Sequence, residues 1–205
     1  MEQIPGDWKE LSGQYKIYLA LQRGFSKNTV EAYMRDLRQF AVYVSENYSA
    51  GPLEATPEMI QDYMASLYDR NVQKATQSRM LSGVKSFYNF LVGEDVIDVS
   101  PAEFVDHPKP SHLMPDTLSV GEIDTILDAI DLSSPLGHRN RAIIETLYSC
   151  GLRVSELTSL TFSDVFFDEG FIRVCGKGDK QRLVPLSEEC KSRILQYLEC
   201  RPPSA

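Results

Sequence analysis

Four successive stretches carry apolar residues at helical spacing, and prolines at 101, 108, 110 and 115 then end the pattern. A chain patterned this way folds as a helical bundle followed by a separate second part. Trp8, Leu11, Tyr15, Tyr18 and Leu19 mark the first helix, which Arg23-Gly24 closes. Ser26 is a good N-cap for a second helix, with Val30, Tyr33, Met34, Leu37, Phe40, Ala41 and Val44 on its apolar face. Tyr48 to Pro52 breaks it. Thr56-Pro57-Glu58 supplies a cap, a proline at the first helical position and an acid in the first turn. A third helix follows with Met59, Ile60, Tyr63, Met64 and Leu67 inward, and a fourth runs from about Ala75 to Leu91 with Met80, Leu81, Val84, Phe87, Tyr88 and Leu91 as its stripe. At this periodicity the aromatic and methionine residues read as core, not as a base-stacking surface.

Residues 98–117 are proline-rich and unpatterned, and read as a linker between a first domain, 1–97, and a second, 118–205. Ser119-Val-Gly-Glu122 is a capping box that opens the second domain. Helices are expected at about 120–131 and 139–149, then a short helix from Val154, a β-hairpin, and a last helix capped by Ser187. The fold class is therefore mainly α with a small antiparallel hairpin.

Two stretches of this second part carry candidate chemistry. In Tyr148-Ser-Cys-Gly-Leu-Arg-Val-Ser-Glu-Leu157, Gly151 lets the backbone leave one helix at positive φ, which puts Arg153 at the entrance of the next. The positive end of a helix favours an anion, and a guanidinium adds a forked donor suited to phosphate. Glu156 lies on the same face, three residues on, where it can hold the arginine. In Cys175-Gly-Lys-Gly-Asp-Lys-Gln-Arg182, glycine-rich turn chemistry separates Phe171–Cys175 from Leu183–Pro185 and presents Lys177, with Lys180 and Arg182 nearby. From the residues alone, Arg153 reads first as a C-cap or salt-bridge arginine paired with Glu156. Lys177 is then a solvated hairpin tip, and Lys180 and Arg182 are edge-strand charges.

Composition sets bounds around these motifs. No apolar run approaches the length of a membrane span, and the start, Met-Glu-Gln-Ile-Pro-Gly-Asp, lacks the basic-then-apolar pattern of a signal peptide. Cys150, Cys175, Cys190 and Cys200 lack metal-ligand spacing and read as reduced thiols of a cytoplasmic protein. The formal net charge is −8, and residues 1–110 and 111–205 each contribute −4 (11 basic against 15 acidic, and 10 against 14). That sign opposes a polyanionic partner, so any cationic face must be local.

Taken together, Gly-Leu-Arg-Val-Ser-Glu-Leu, the Ser163-Asp164 turn and Gly-Lys-Gly-x-Lys-x-Arg-x-Val-Pro resemble the tyrosine recombinases, the family of bacterial Xer-type recombinases and of phage and transposon integrases. Ser26-Lys-Asn-Thr-Val-x-x-Tyr33-x-x-Asp36-Leu37-x-x-Phe40 is similar to their core-binding module. The resemblance implies a four-helix, SAM-like core-binding domain followed by the first part of an α+β catalytic domain. It implies double-stranded DNA as partner, no metal or other cofactor, and a homo- or hetero-tetramer of recombinases on two DNA sites. Arg153 would stabilise the pentavalent phosphorane, Lys177 would protonate the leaving 5′-oxygen, and Glu156 would orient the arginine. Asn28, Thr29, Thr76, Arg79, Lys85, Lys180 and Arg182 would lie against DNA, mostly on phosphates, with a solvated helix face as the plain alternative for each of the helical ones.

The family also uses a His-x-x-Arg pair, a further His or Trp, and a tyrosine nucleophile, all beyond the hairpin. His107, His112 and His138 sit in no such motif, and Tyr197 follows the hairpin too closely to be that nucleophile. The chain is thus expected to bind duplex DNA without cutting it. The alternatives are a naturally short, non-catalytic protein that occupies recombination sites, and an unrelated acidic helical interaction protein.

Overall fold

The computed structural model describes residues 4–109, 116–176 and 180–201. The chain divides into two compact units, Met1–Met114 and Pro115–Ala205. The fold is mainly helical with one small antiparallel sheet. No described helix is long and apolar enough to cross a membrane.

The first unit holds α1 (Gly6–Ile17), α2 (Lys27–Tyr48), α3 (Pro57–Asp69) and α4 (Lys74–Gly93). Ser26 and Thr56 cap α2 and α3 through hydrogen bonds to the amides of Thr29 and Met59. α1 does not run on to Arg23 as a regular helix. Tyr18–Gln22 forms a π-turn, with the Arg23 amide donating to the Tyr18 carbonyl at 3.0 Å, and Gly24 leaves it at φ +61°. The core is aromatic: Trp8, Tyr15, Phe40, Tyr63, Phe87 and Tyr88 are all essentially inaccessible. Trp8 meets Phe40 edge-on at 5.6 Å; Trp8 Nε1 donates to the Ala50 carbonyl and Tyr15 Oη to Ser86 Oγ, whereas the buried Tyr63 hydroxyl has no partner among the described residues. Ala102 and Val105, within the stretch read as linker, are buried in this same core. Alanine and valine there supply apolar surface that the proline-rich composition masks.

The second unit holds α5 (Val120–Asp128), α6 (Pro135–Cys150), α7 (Val154–Thr158) and α8 (Glu188–Cys200) around a sheet of β1 (Val165–Phe166), β2 (Phe171–Cys175) and β3 (Gln181–Pro185) in the order β1-β2-β3. The hairpin expected from sequence is β2–β3, with Val174 opposite Arg182, and β1 adds a third strand. Alternation along β2 buries Ile172 and Val174 against Leu152, Leu186, Cys150 and Cys190. α5 stops short of residue 131, because Asp131 accepts the Ser133 amide at 2.9 Å and forms a turn there. α6 begins four residues earlier than expected, capped by Ser134 with Pro135 in its first turn.

Candidate active site and nucleic-acid interface

α6 ends at Gly151, whose φ of +57° takes the chain out of the helix. Arg153 follows in extended conformation and caps the short α7. Its own amide donates to Glu156 Oε2 at 2.8 Å and its Nη1 to Glu156 Oε1 at 2.9 Å. The Glu156 carboxylate thus occupies one of the amides at the helix entrance that the sequence left open to an anion. A second guanidinium completes the cluster. Arg182, reaching across from β3, places Nη1 2.7 Å from Oε1 and Nη2 3.0 Å from Oε2. Arg182, expected on phosphate, turns its fork to Glu156 and stays 40% exposed at the side chain.

Glu156 is 4% exposed and Arg153 74% exposed at the side chain. The arginine therefore reaches solvent from a buried anchor. Hydrogen bonds from Arg182, and then from the Arg153 amide, outweigh desolvation and hold the Glu156 carboxyl down at about 2. The anchor is a fixed negative charge throughout the neutral range.

Lys177 lies outside the described residues. The hairpin that carries it is closed by the Gly176 amide donating to the Lys180 carbonyl at 2.8 Å, and Gly176 packs next to the Glu156–Arg182 pair. Lys180 is exposed. Arg173, which no motif singles out, donates to Asp164 from Nε and Nη2 at 3.1 and 2.9 Å and ties β2 to the turn before β1. Its signal was the alternation that puts residue 173 on the face opposite Ile172 and Val174. Among the described residues no group of His, Cys, Asp and Glu could hold a metal ion.

In the first unit the expected contact residues divide. Asn28 is exposed, while the Thr29 hydroxyl is shared with Ser26 Oγ at 2.8 Å in the α2 cap. Thr76, Arg79 and Lys85 all lie on α4, a helix of 20 residues with three cations and no acid in a chain whose net charge is −8. Arg79 pairs with the buried Asp36 of α2, and Lys85 Nζ is 3.5 Å from the Glu103 carbonyl. Beside Lys85 is a polar hollow lined by Arg23, Tyr33, Ser82, Asn89 and His107. Arg23, read only as a helix stop, thereby joins the cationic face, steadied over the Phe25 ring at 5.5 Å.

Comparison with known proteins matches both units. The model for the phage integrase N-terminal SAM-like domain matches residues 13–95, and that for the phage integrase family matches residues 116–204. Tyrosine recombinase XerC of Syntrophus aciditrophicus is 35% identical over 203 residues, covering 95% of this chain and 65% of that protein. Tyrosine recombinase XerD of Pseudomonas putida is 38% identical over 187 residues, covering 91% and 62%. XerD of Staphylococcus aureus is 34% identical over 190 residues, covering 93% and 64%. The chain thus spans less than two thirds of the length of these relatives. Among solved structures, the Tn1549 transposon integrase in complex with circular intermediate DNA has a TM-score of 0.71 at 17% identity, covering 95% of this chain and 66% of that one. A lambda integrase tetramer bound to a Holliday junction has a TM-score of 0.70 at 20% identity, covering 93% and 55%. At these identities the two structures share the fold.

Proposed function

Because the chain belongs to the phage integrase family of tyrosine recombinases, we propose that it binds duplex DNA and supplies the first part of a strand-exchange site. The observation that carries this reading is Glu156, a buried anion that aims the exposed Arg153 outward while its other contacts tie down the base of the hairpin. A guanidinium held in this way meets a scissile phosphate without reorganising, and stabilises the charge that develops there. Lys177, which lies between β2 and β3 in the sequence, is the proton donor to the leaving oxygen, and Glu156 orients Arg153. Asn28, Thr29, Thr76, Arg79, Lys85, Lys180 and Arg182 meet the duplex backbone, joined by Arg23. These contacts position the protein and do not read sequence. Cleavage through a 3′-phosphotyrosine, by four protomers on two sites, belongs to the whole recombinase. This chain alone binds without cutting.

The test is binding of a fluorescent duplex across a salt series. The chain should bind with an affinity that falls steeply as salt rises. Arg153→Ala should weaken binding about tenfold and flatten the log–log salt slope by about 0.9, the loss of one phosphate contact. Binding that ignores both salt and Arg153 would sink the reading. A covalent protein–DNA adduct formed by the chain on a nicked duplex would overturn its assignment as non-cutting.

A further inference from the structure

We infer that Asp36 is a positioning residue for nucleic-acid binding, fixing the guanidinium of Arg79 on the outer face of α4 in the orientation that meets a phosphate. The inference rests on the duplex-binding reading above. Its ground is a pair whose cost exceeds what packing needs. The Asp36 side chain is 4% exposed and that of Arg79 46% exposed. Arg79 Nη1 donates to Asp36 Oδ2, whereas Asp36 Oδ1 is buried with no hydrogen-bond partner among the described residues. A half-satisfied buried carboxylate is unfavourable, and an apolar pair of similar volume would join α2 to α4 at least as well.

α4 makes room for this carboxylate at a second cost. A Cβ on Gly83 would lie 3.0 Å from Asp36 Cβ and 3.3 Å from Oδ2. A glycine in mid-helix gives up about 1 kcal/mol relative to alanine. Two unfavourable choices on two helices, 43 residues apart in Arg79 and Asp36, converge on one guanidinium. Holding it removes, before any ligand arrives, rotamer freedom that a loose arginine would lose on binding. The side chain so held projects from the helix that carries no acid, beside Thr76 and Ser82 on successive turns, with Arg35 adding a second exposed cation near the carboxylate.

The experiment is the same duplex titration on the chain with Asp36→Asn, Arg79→Gln and both together. Asp36→Asn should weaken binding about five- to tenfold at about 0.1 M salt and flatten the salt slope by about 0.9. Arg79→Gln should do the same, and the double variant should bind no more weakly than Arg79→Gln, since Asp36 acts through Arg79. Unchanged binding by Asp36→Asn would overturn the inference. So would an Asp36→Asn effect that persists in full in the Arg79→Gln background, which is what a merely structural role produces. If Asp36→Asn fails to fold by circular dichroism, Arg79→Lys decides: it keeps the charge but not the fork, and should bind several-fold more weakly than wild type. Wild-type affinity for Arg79→Lys would overturn the inference. Failure of the unmodified chain to bind any duplex would bring down the broader reading, and this inference with it. A binding wild type with an insensitive Asp36→Asn brings down the inference alone.

Discussion

Asp36 in the first unit and Glu156 in the second are both 4% exposed, and each holds an arginine that reaches the surface. Their surroundings differ in donors. Glu156 receives the Arg153 amide, the Arg153 guanidinium and both outer nitrogens of Arg182. Among the described residues, Asp36 receives Arg79 on one oxygen and nothing on the other. The outcome has opposite sign: desolvation dominates at Asp36 and raises its carboxyl, while hydrogen bonds, Arg182 first, pull Glu156 down to about 2. The two carboxylates move in opposite directions because desolvation is the largest influence on Asp36 and hydrogen bonding the largest on Glu156.

The largest break of this comparison is removal of one arginine from each site. Arg79→Ala strands Asp36 without a hydrogen-bond donor and should destabilise the first unit by about 3 kcal/mol at neutral pH. Arg182→Ala leaves Glu156 both Arg153 donors and should cost the second unit less. Urea unfolding of the two variants checks the order, and equal losses would show that donor number is not the controlling variable.

A second contrast is in pH. The folded Glu156 carboxyl lies below its ordinary value of 4.5, so its contribution to stability is complete above about 4.5 and is lost as pH falls toward 2. The folded Asp36 carboxyl lies above its ordinary 3.8, so the folded state retains a proton that the unfolded state releases, and its contribution falls as pH rises through that window. Unfolding midpoints followed into acid should therefore lose part of their decline in Glu156→Gln and steepen in Asp36→Asn. The same sign for both variants would erase the distinction.

The smallest effect sharpens the Asp36 side. Gly83→Ala improves helix propensity but presses a methyl against Asp36, and should destabilise the first unit by about 1 kcal/mol in a denaturant titration. A more stable Gly83→Ala would mean that the carboxylate has room to move.

Local signals made much of the fold legible. Caps at Ser26, Thr56, Ser119 and Ser187 appear where serine or threonine precedes an apolar stripe, and each accepts the expected backbone hydrogen bond. The start of α6 escaped because Gly137 looks like a breaker; it is needed there because a Cβ would run into the Asp131 carbonyl. β1, two residues long, exists only through its pairing with β2. The π-turn depends on a shifted hydrogen bond that no residue pattern announces. At the candidate site, the Arg153–Glu156 spacing is local and readable, whereas Arg182 arrives from 26 residues away, by strand register. Nothing near Asp36 in sequence points to Arg79, and their pairing is a product of helix packing.

An acid-free α4 within a chain of 29 acidic and 21 basic residues also has a kinetic consequence. A polyanion drifting toward the protein is turned away by most carboxylate-bearing surfaces, so unproductive collisions are short. On the duplex-binding proposal, encounters that present α4 escape that repulsion and persist long enough to dock. Under that proposal, the acidity that argued against a nucleic-acid partner becomes an orientational filter on how the partner arrives, and added salt, by screening both signs, blurs the filter as it weakens the grip.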